Sequence, residues 1–406
     1  MDDLELRAIT DDEYDDWHRA IALGFSDHPN DKLAAAWRRV TELDRTIAVF
    51  DGGEIVANAG AFSFELTIPG GSSLPAAGVT AVGVRHTHRR RGLLTRMMSH
   101  QLADVASRGE PLAVLTASET VIYGRYGYGM ATQYSGWKVD TEGLVVEVPS
   151  TARGRVRIVD RAEAAKVFPG IYDAARRRHP GAVAWSPTWW EFWFEDLEID
   201  RDGASARFYL VHENADGEPD GLCAYNVKHK WERGLPMHNV AIQRLYGLDD
   251  EVEAALFAHL VTIDLVGSVS GWGRPVDEPL RHRLANSRRM VVSHVGDHLW
   301  LRVLDVERAL SARELAADDR IVIEVSDRFL PAAGGTFAVA PGECTRTDGG
   351  ADLAMDARDL GAIYLGGITP TTLGRAGRIR ELTPGALARA DRLFLSSQTP
   401  WCDTEF

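Results

Sequence analysis

A succession of strand, helix, hairpin, strand and helix occurs twice in this sequence, and this duplication constrains the fold more than any other feature. The first copy opens with a strand at residues 4–9 and the second with a strand at residues 156–159, each followed by a helix. Corresponding elements lie roughly 150 to 160 residues apart, which is too long a period for a solenoid repeat. The pattern therefore predicts two consecutive domains of the α/β class, each with a mixed sheet.

Local signals support this assignment within each copy. Thr10 and Glu13 have the spacing of a capping box, which predicts a helix start directly after the first strand. Apolar alternation on both sides of a glycine turn predicts a hairpin at residues 46–68. The second copy repeats that hairpin at residues 206–230.

A basic turn follows the hairpin of the first copy. An apolar strand at residues 79–84 is followed by Arg89, Arg90, Arg91 and Gly92, where a second helix begins. Amides at a helix start and the positive end of its dipole favour a phosphate, and glycine lets the ligand approach the backbone. The alternative is a solvated basic run or a nucleic-acid patch. In a chain of net charge −14, such a focused cluster favours a phosphate site.

The second copy differs from the first at this turn. Leu248, Asp249, Asp250 and Glu251 stand in the corresponding position. Carboxylates at a helix start stabilise the helix dipole and repel a pyrophosphate. We therefore expect the second copy to keep the fold without the phosphate site.

Composition restricts the partners and the compartment. The 406 residues predict two to four domains, and 59 acidic against 45 basic residues argue against nucleic acid as the main partner. Three widely spaced cysteines without metal-ligand spacing indicate a reducing cytoplasm and no metal. The acidic N-terminus is not a signal peptide, and no apolar run reaches the ~18 residues of a membrane span.

Four strings in the sequence resemble one protein family. They are THRRRGLL at the basic turn, IYGRYGYG at residues 122–129, LWLRVLD at residues 299–305 and the closing Glu405-Phe406. The chain is similar in these to the Eis (enhanced intracellular survival) branch of the GNAT acetyltransferases. Leu94 departs from the general GNAT signature, which has a small residue there.

The resemblance implies tandem GNAT-like domains followed by a sterol-carrier-protein-like domain. We expect an N-terminal GNAT domain with the acetyl-CoA site at residues 1–150, a degenerate GNAT-like domain at 151–290 and the sterol-carrier-like domain at 291–406. Nothing local in the last segment indicates lipid binding, so a packing and assembly role is expected for it.

The same resemblance assigns the cofactor site. The backbone of Val82, Gly83 and Val84 would pair with the pantetheine arm of acetyl-CoA, and Ser118 and Glu119 would follow the next strand near the thioester. The valines are also ordinary core residues, and Ser118 is also a plausible N-cap. The residues that would surround the pyrophosphate are Arg90, Arg91, Gly92, Leu93, Leu94 and Thr95.

Acetyl transfer also needs an acid and a base. Tyr123, Tyr126 and Tyr128 are all candidates for the acid from the residues alone, and the resemblance assigns it to Tyr123. The resemblance places the base at the α-carboxylate of Phe406, since Eis chains similarly end in Glu-Phe. Additional negative charge from Asp27 and Glu405 and an aromatic wall from Trp37 are further expectations.

Together these features predict an acetyl-CoA-dependent N-acetyltransferase that acts on primary amines of cationic small molecules, aminoglycoside or polyamine-like. Protein lysine is the alternative acceptor, and a non-catalytic binding or assembly protein is the alternative class. By resemblance we expect a homo-oligomer, a hexamer, with neither nucleic acid nor a membrane span.

Overall fold

The structure is a computed structural model in which residues 4–148 and 154–406 are described. Its strands, in chain order, are β1 (Glu5–Arg7), β2 (Ile47–Asp51), β3 (Glu54–Thr67), β4 (Ser73–Val84), β5 (Leu112–Thr116), β6 (Gly129–Met130), β7 (Gln133–Asp140), β8 (Gly154–Val159), β9 (Phe208–Asn214), β10 (Pro219–Lys228), β11 (Trp231–Glu232), β12 (Leu235–Pro236), β13 (His238–Gly247), β14 (Val266–Arg274), β15 (Met290–Asp297), β16 (Leu299–Val303), β17 (Ile321–Ser326), β18 (Gly335–Ala340), β19 (Glu343–Arg346), β20 (Leu353–Asp356) and β21 (Arg380–Glu381).

The helices of the same described residues are α1 (Tyr14–Gly24), α2 (Asp31–Arg38), α3 (Leu93–Ser107), α4 (Thr120–Tyr123), α5 (Arg161–Arg176), α6 (Pro187–Phe194), α7 (Asp250–Val261), α8 (Val306–Ala312), α9 (Ala357–Tyr364), α10 (Pro370–Arg375) and α11 (Ala386–Leu393). The predicted capping box is confirmed, and the backbone amide of Thr10 donates to Glu13 Oε2 at 2.8 Å. None of these helices is long and apolar enough to cross a membrane.

Two seven-stranded sheets have the same topology, which confirms the predicted duplication. The first has the order β1-β2-β3-β4-β5-β16-β6 and the second, read from the matching end, β8-β9-β10-β13-β14-β7-β15. In each sheet the fourth and fifth strands pair in parallel, β4 with β5 and β13 with β14. The predicted mixed α/β character follows from this single parallel pair among antiparallel neighbours.

Each sheet contains one strand from beyond its own segment of the chain. Strand β7 follows β6 in the chain but pairs with β14 and β15 of the second sheet. Strand β16 follows β15 but pairs with β5 and β6 of the first sheet. Because each sheet draws on two stretches of chain, sheet membership alternates along the sequence. The domain boundaries 1–150, 151–290 and 291–406 stay a prediction.

The described chain separates into two compact units. One contains the residues up to Thr132 together with His298–Ser397 and Thr404–Phe406, and the other contains Gln133–Asp297 with Gln398–Asp403. The first unit also carries a five-stranded sheet of order β19-β18-β17-β20-β21. Gln398–Asp403 and Thr404–Phe406, at the end of the chain, therefore belong to different units.

Helix α3 packs on one face of the first sheet through a stripe of apolar side chains. Leu93, Met97 and Met98, with Leu102 and Val105, are buried; apart from the adjacent pair Met97 and Met98 they follow one another at three or four residues, close to the repeat of a helix. Met98, Leu102 and Val105 join a buried cluster that includes residues of β4 and β5, and Leu93 and Met97 join a second cluster with residues of β2 and β3. This packing fixes the start of α3 beside the end of β4.

Candidate active site

The start of α3 is open to a ligand. Gly92 is the N-cap residue, with a φ of 78°, a left-handed conformation that glycine adopts readily. No side chain caps this end of the helix. The first intrahelical bond runs from the amide of Arg96 to the carbonyl of Gly92 at 3.0 Å. The amides of Leu93, Leu94 and Thr95 therefore precede the hydrogen-bonded turns of the helix and are available to an anion.

Two of the three arginines of this turn have free guanidinium groups. Arg90 and Arg91 are exposed, and within residues 4–148 and 154–406 neither has an ion pair. Arg89 differs, because its Nε donates to the carbonyl of Val84 at 3.4 Å. The structure thus brings two mobile cations and an uncapped helix start together, as the sequence predicts for a pyrophosphate.

The neighbouring end of β4 has an unpaired edge. Parallel pairing with β5 covers Ala76 to Gly78 and stops there, although β4 continues to Val84 and β5 to Thr116. The two strands therefore diverge, and in the described chain no strand pairs with Val82, Gly83 and Val84 on this side. Their backbone groups are available to an extended ligand.

A β-bulge in β4 sharpens the divergence. The pairing of β3 with β4 passes from Gly60↔Thr80 to Asn58↔Gly83, so β4 has one residue more than β3 in this interval. Ala81 has a φ of 53°, and the side-chain amide of Asn58 donates to its carbonyl through Nδ2. Bulges twist and bend a strand locally, which turns the end of β4 away from β5.

Tyr123 lies on the same face of the first sheet as α3. Its buried ring belongs to the cluster that contains Val79 of β4 and Leu115 of β5, the strand ends that diverge. Burial, with the charge of Glu119, raises the pKa of Tyr123 to about 12. A phenol keeps its proton at neutral pH with or without this shift, so Tyr123 has a proton to donate.

The other two tyrosines of the string differ from Tyr123. The hydroxyl of Tyr126 lies 3.3 Å from Thr95 Oγ1, and its ring packs edge-on against Phe329 at 4.9 Å. Tyr128 is completely buried, and burial raises the pKa of its phenol as well. Both arrangements support a structural role for these rings.

Phe406 lies on the opposite face of the first sheet. Thr116 Oγ1 donates to its main-chain oxygen at 3.4 Å, and its ring packs edge-on against Phe64 with 5.0 Å between centroids. The carbonyl of Thr404, two residues earlier, accepts from His298 Nε2 at 3.3 Å. The chain terminus is therefore held in place beside the end of β5.

Strand register separates the two candidate groups. Phe62 pairs with Gly78 and Gly78 with Val114, so these residues and Thr116 share the face that contacts Phe406. Val79 and Leu115 point to the other face, where Tyr123 packs. The terminal carboxylate thus lies beside the opening between β4 and β5 on one face of the first sheet, and the Tyr123 ring packs on the opposite face.

A cavity of about 300 Å³ adjoins Phe406 on its own face of the sheet. Asp27 and Trp37 line it, whereas Glu405 is exposed and is not among its lining residues. Ser118 and Glu119 are exposed directly after β5, as the sequence predicts for residues at the strand end. The complete lining is Tyr14, Trp17, His18, Ile21, Ala22, Phe25, Asp27, His28, Asn30, Leu33, Trp37, Thr41, Phe62, Thr80, Ala81 and Phe406.

The start of α7 in the second copy is closed. Asp249 is its N-cap, and one carboxylate oxygen accepts from the amides of Glu251 and Val252 at 2.9 and 2.8 Å. Asp250 forms an ion pair with Arg178. The amides that bind an anion in such folds are here satisfied by the protein itself, as the carboxylate-rich turn predicts.

Three contributors to the site were not predicted from the sequence. Thr116 and His298 hold the tail, and Phe62 forms part of the cavity wall. A threonine at a strand end and a phenylalanine in an apolar strand carry no local signal of such a role. His298 stands beside an apolar strand, and a lone histidine there is equally consistent with a core position.

Comparisons with known proteins agree with this architecture. Family models described as Acetyltransferase (GNAT) domain match residues 5–131 and 181–303, and a Sterol carrier protein domain model matches residues 306–403. The predicted order, two GNAT-like domains followed by a sterol-carrier-like domain, is confirmed.

Relatives extend over nearly the whole chain. An uncharacterized N-acetyltransferase of Streptomyces avermitilis is 41% identical over 403 residues, 98% of each chain. The N-acetyltransferase Eis of Mycobacterium tuberculosis is 33% identical over 408 residues, 97% of each chain. The crystal structure of Eis1 from Mycobacterium abscessus is 33% identical, has a TM-score of 0.89 and covers 99% of this chain and 100% of its own.

Proposed function

Because this chain belongs to the Eis family of GNAT N-acetyltransferases, we propose that it acetylates primary amines of cationic small molecules at the opening between β4 and β5. GNAT acetyltransferases use acetyl-CoA, which would supply an acetyl group on a thioester. The observation that carries the proposal is the arrangement of this opening. The terminal carboxylate lies beside it on one face of the sheet, and the Tyr123 ring packs on the other face.

The residues at the start of α3 fit the cofactor's pyrophosphate. Arg90 and Arg91 are free to pair with it, and the amides of Leu93, Leu94 and Thr95 follow the glycine cap. The backbone at Gly92 is accessible to a ligand. A Cβ atom built at this position has no other atom within 4 Å, so no part of the protein covers it. Charge-assisted hydrogen bonds of this kind are about twice as strong as neutral ones.

The residues at the strand ends fit the rest of the cofactor. The unpaired edge at Val82, Gly83 and Val84 would pair with the pantetheine arm as a further strand. Ser118 and Glu119 lie just beyond β5, next to where the strands diverge. In this position the acetyl group would lie between the Phe406 carboxylate on one face of the sheet and Tyr123 on the other.

Two groups of the chain move the protons in this proposal. The Phe406 carboxylate accepts a proton from the acceptor amine, and Thr116 and the His298–Thr404 hydrogen bond hold the carboxylate in place. The Tyr123 phenol donates its proton on the other face.

The test is the release of free thiol from acetyl-CoA in the presence of individual amines. We expect small cationic amines to support release, and the Arg90→Glu/Arg91→Glu double variant to show none. A lysine-containing peptide as the only active acceptor would favour the protein-lysine alternative. Absence of release with every acceptor would contradict the proposed function.

We also propose that the protein acts in the cytoplasm as a homo-oligomer, a hexamer by resemblance to the family. Its three cysteines, Cys223, Cys344 and Cys402, are free and buried, which suits a reducing compartment. Light scattering at the outlet of a size-exclusion column measures the mass. We expect six times the chain mass of 44.7 kDa.

A further inference from the structure

A second cavity, of about 600 Å³, lies in the first unit next to the turn that follows Tyr123. Its walls come from that turn, from the loop after β17, from β20 and the start of α9, and from the stretch that leads into β21. Among the described residues that line it, none is assigned above to acetyl-CoA or to proton transfer. Its volume is in the middle of the range of small-molecule sites.

Arginine is the commonest charged residue of this lining. Five arginines and three aspartates are among the described residues of the wall, so positive charges outnumber negative ones by two. The chain as a whole has a net charge of −14, which makes this concave surface a local exception. An excess of cations in a cleft concentrates anions there. The arginines are Arg125, Arg328, Arg358, Arg378 and Arg380.

The three aspartates of the lining are already engaged within the protein. Asp327 pairs at 2.5 Å with Arg302, which is fully buried and does not line the cavity. Asp356 is the N-cap of α9. Asp359 pairs with Arg378 at 2.5 Å. The carboxylates therefore neutralise a buried arginine, a helix start and one arginine of the lining.

The other arginines of the lining keep their charge available. Arg328 and Arg380 are exposed, and within residues 4–148 and 154–406 neither side chain has an ion pair or a hydrogen bond. Arg125 has no ion pair there either, and its Nε donates to the carbonyl of Ile122 at 3.3 Å. A guanidinium has five donors in a rigid fork and keeps its proton in proteins. These side chains can therefore bind an anion without breaking an existing ion pair.

The number of these cations favours a phosphate over a carboxylate. Arg125 comes from the turn after α4, Arg328 from the loop after β17 and Arg380 from β21. A carboxylate has one charge and two oxygens, whereas a phosphate monoester has a charge close to −2 and three acceptor oxygens. Forked guanidinium groups bind such oxygens in pairs. The concave shape suits a small molecule, and the acidic surface of the chain repels a nucleic acid.

We propose that this cavity binds a small phosphate ester, whose phosphate group lies among Arg125, Arg328 and Arg380. The binding is reversible and forms no covalent bond. The site would bind its ligand whether or not the chain acetylates amines, so the inference does not rest on the proposed function.

Isothermal titration calorimetry with glycerol 3-phosphate tests the site. The whole protein is saturated with coenzyme A, which occupies the start of α3 and leaves the second cavity as the site under test. Succinate is the comparison probe, because it has a similar length and carries its charge of about −2 on two carboxylates. We expect one glycerol 3-phosphate per chain, with a Kd at least about tenfold lower than that of succinate, because a phosphate accepts more charge-assisted hydrogen bonds at one point.

The Arg328→Glu/Arg380→Glu variant should raise the Kd of glycerol 3-phosphate at least about tenfold, because repulsion replaces two charge-assisted contacts. Neither side chain has a partner in the described chain, so the variant should fold, and its circular dichroism spectrum checks this. Arg328→Gln is a second variant in case the double one does not fold, and it should weaken binding in the same direction. Arg281→Glu/Arg288→Glu is the matched control. It makes the same change in net charge at two exposed arginines of the second unit and should leave the Kd unchanged.

Binding should also persist in the Arg90→Glu/Arg91→Glu variant without coenzyme A, because those arginines do not line this cavity. Equal affinity for succinate, undiminished affinity in the Arg328→Glu/Arg380→Glu variant, or no saturable binding would overturn the inference. Binding in the Arg90→Glu/Arg91→Glu variant but none in the protein saturated with coenzyme A would show that the cavity receives part of the cofactor. That result would overturn it too.

Discussion

The two GNAT-like copies share a sheet topology but differ at the helix start that follows their fourth strand. In the first copy, Gly92 leaves the start of α3 without a side-chain cap, and the exposed Arg90 and Arg91 beside it have no ion pair within the described residues. In the second copy, the Asp249 carboxylate caps α7 through two amides. The corresponding amides thus lack a side-chain cap in one copy and are satisfied by the protein's own carboxylate in the other. Keeping a fold and keeping a site are separate requirements on the sequence.

The copies also differ in the space between the sheet and the first two helices, which is open in one copy and filled in the other. In the first copy this region holds the cavity bounded by α1, α2 and the ring of Phe406. In the second copy it is a closed core, in which Trp190 from α6 and Tyr246 from β13 pack together with Trp401. One residue of the C-terminal tail therefore borders an open cavity, and another, five positions earlier, completes a core.

Removing the charge of the chain terminus is the change to the first copy with the largest expected effect. Phe406 with a C-terminal amide, made by semisynthesis, changes the charge with almost no change in volume. If the carboxylate is the base, kcat should fall by about 10⁴-fold, the upper end for general base catalysis. Steady-state kinetics with the best amine measures the loss.

The control for this variant is the semisynthetic protein with its natural carboxylate. Acetyl-CoA affinity should be equal in both proteins, because the start of α3 is unchanged. Full activity of the amidated protein would exclude the terminal carboxylate as the base.

Tyr123→Phe tests the other face of the opening and should have a smaller effect. We expect unchanged acetyl-CoA affinity and a loss in kcat of about 10²-fold, the lower end for a general acid. The reason is that a thiol has a pKa of about 8.5, so a thiolate leaves with less assistance than most groups. Tyr126→Phe is the matched control and should remain active. The opposite result, with Tyr126→Phe inactive and Tyr123→Phe active, would show that the acid is assigned to the wrong tyrosine.

Trp401→Ala tests whether the second copy depends on the tail as a core element. Trp401 is 2% exposed, its indole donates to the carbonyl of Gly273 at 2.6 Å, and it packs on Tyr246. Removing a buried indole costs about 3–5 kcal/mol in the free energy of unfolding. Urea denaturation measures the change. Trp231→Ala, at a position 62% exposed, should cost less than about 0.5 kcal/mol, and equal losses would contradict the distinction.

Asp249→Ala should have the smallest effect. Loss of an N-cap carboxylate lowers the free energy of unfolding by about 1 kcal/mol, because the amides of Glu251 and Val252 lose their acceptor. The variant should not gain a second acetyl-CoA site, since Asp250 and Glu251 still repel phosphates. Denaturation and equilibrium dialysis measure the two outcomes. Acquired cofactor binding would mean that the cap alone blocks the site.

Much of this comparison was predictable from the sequence because it depends on local signals. The Gly92 and Asp249 helix starts follow from residue type at a strand–helix junction. The expectation that Phe406 belongs to the active site came from the resemblance to the family, and it stays a prediction. The assignment of its carboxylate as the base stays one too.

The exchange of β7 and β16 between the sheets was not predictable in this way. Apolar alternation identifies a strand, but pairing partners more than a hundred residues away leave no local trace. The bulge at Ala81 was hidden too, since alanine rarely has a positive φ and its backbone is held by Asn58 and the surrounding sheet. The cavity wall from α1 and α2 depends on tertiary packing of the same kind.

The most direct test of the account is the stoichiometry of acetyl-CoA binding by isothermal titration calorimetry. The difference between the helix starts of α3 and α7 predicts one acetyl-CoA per chain. It also predicts no measurable binding by the folded Arg90→Glu/Arg91→Glu variant, whose circular dichroism should match that of the unmodified protein. Two acetyl-CoA molecules per chain, or undiminished affinity in the double variant, would contradict it.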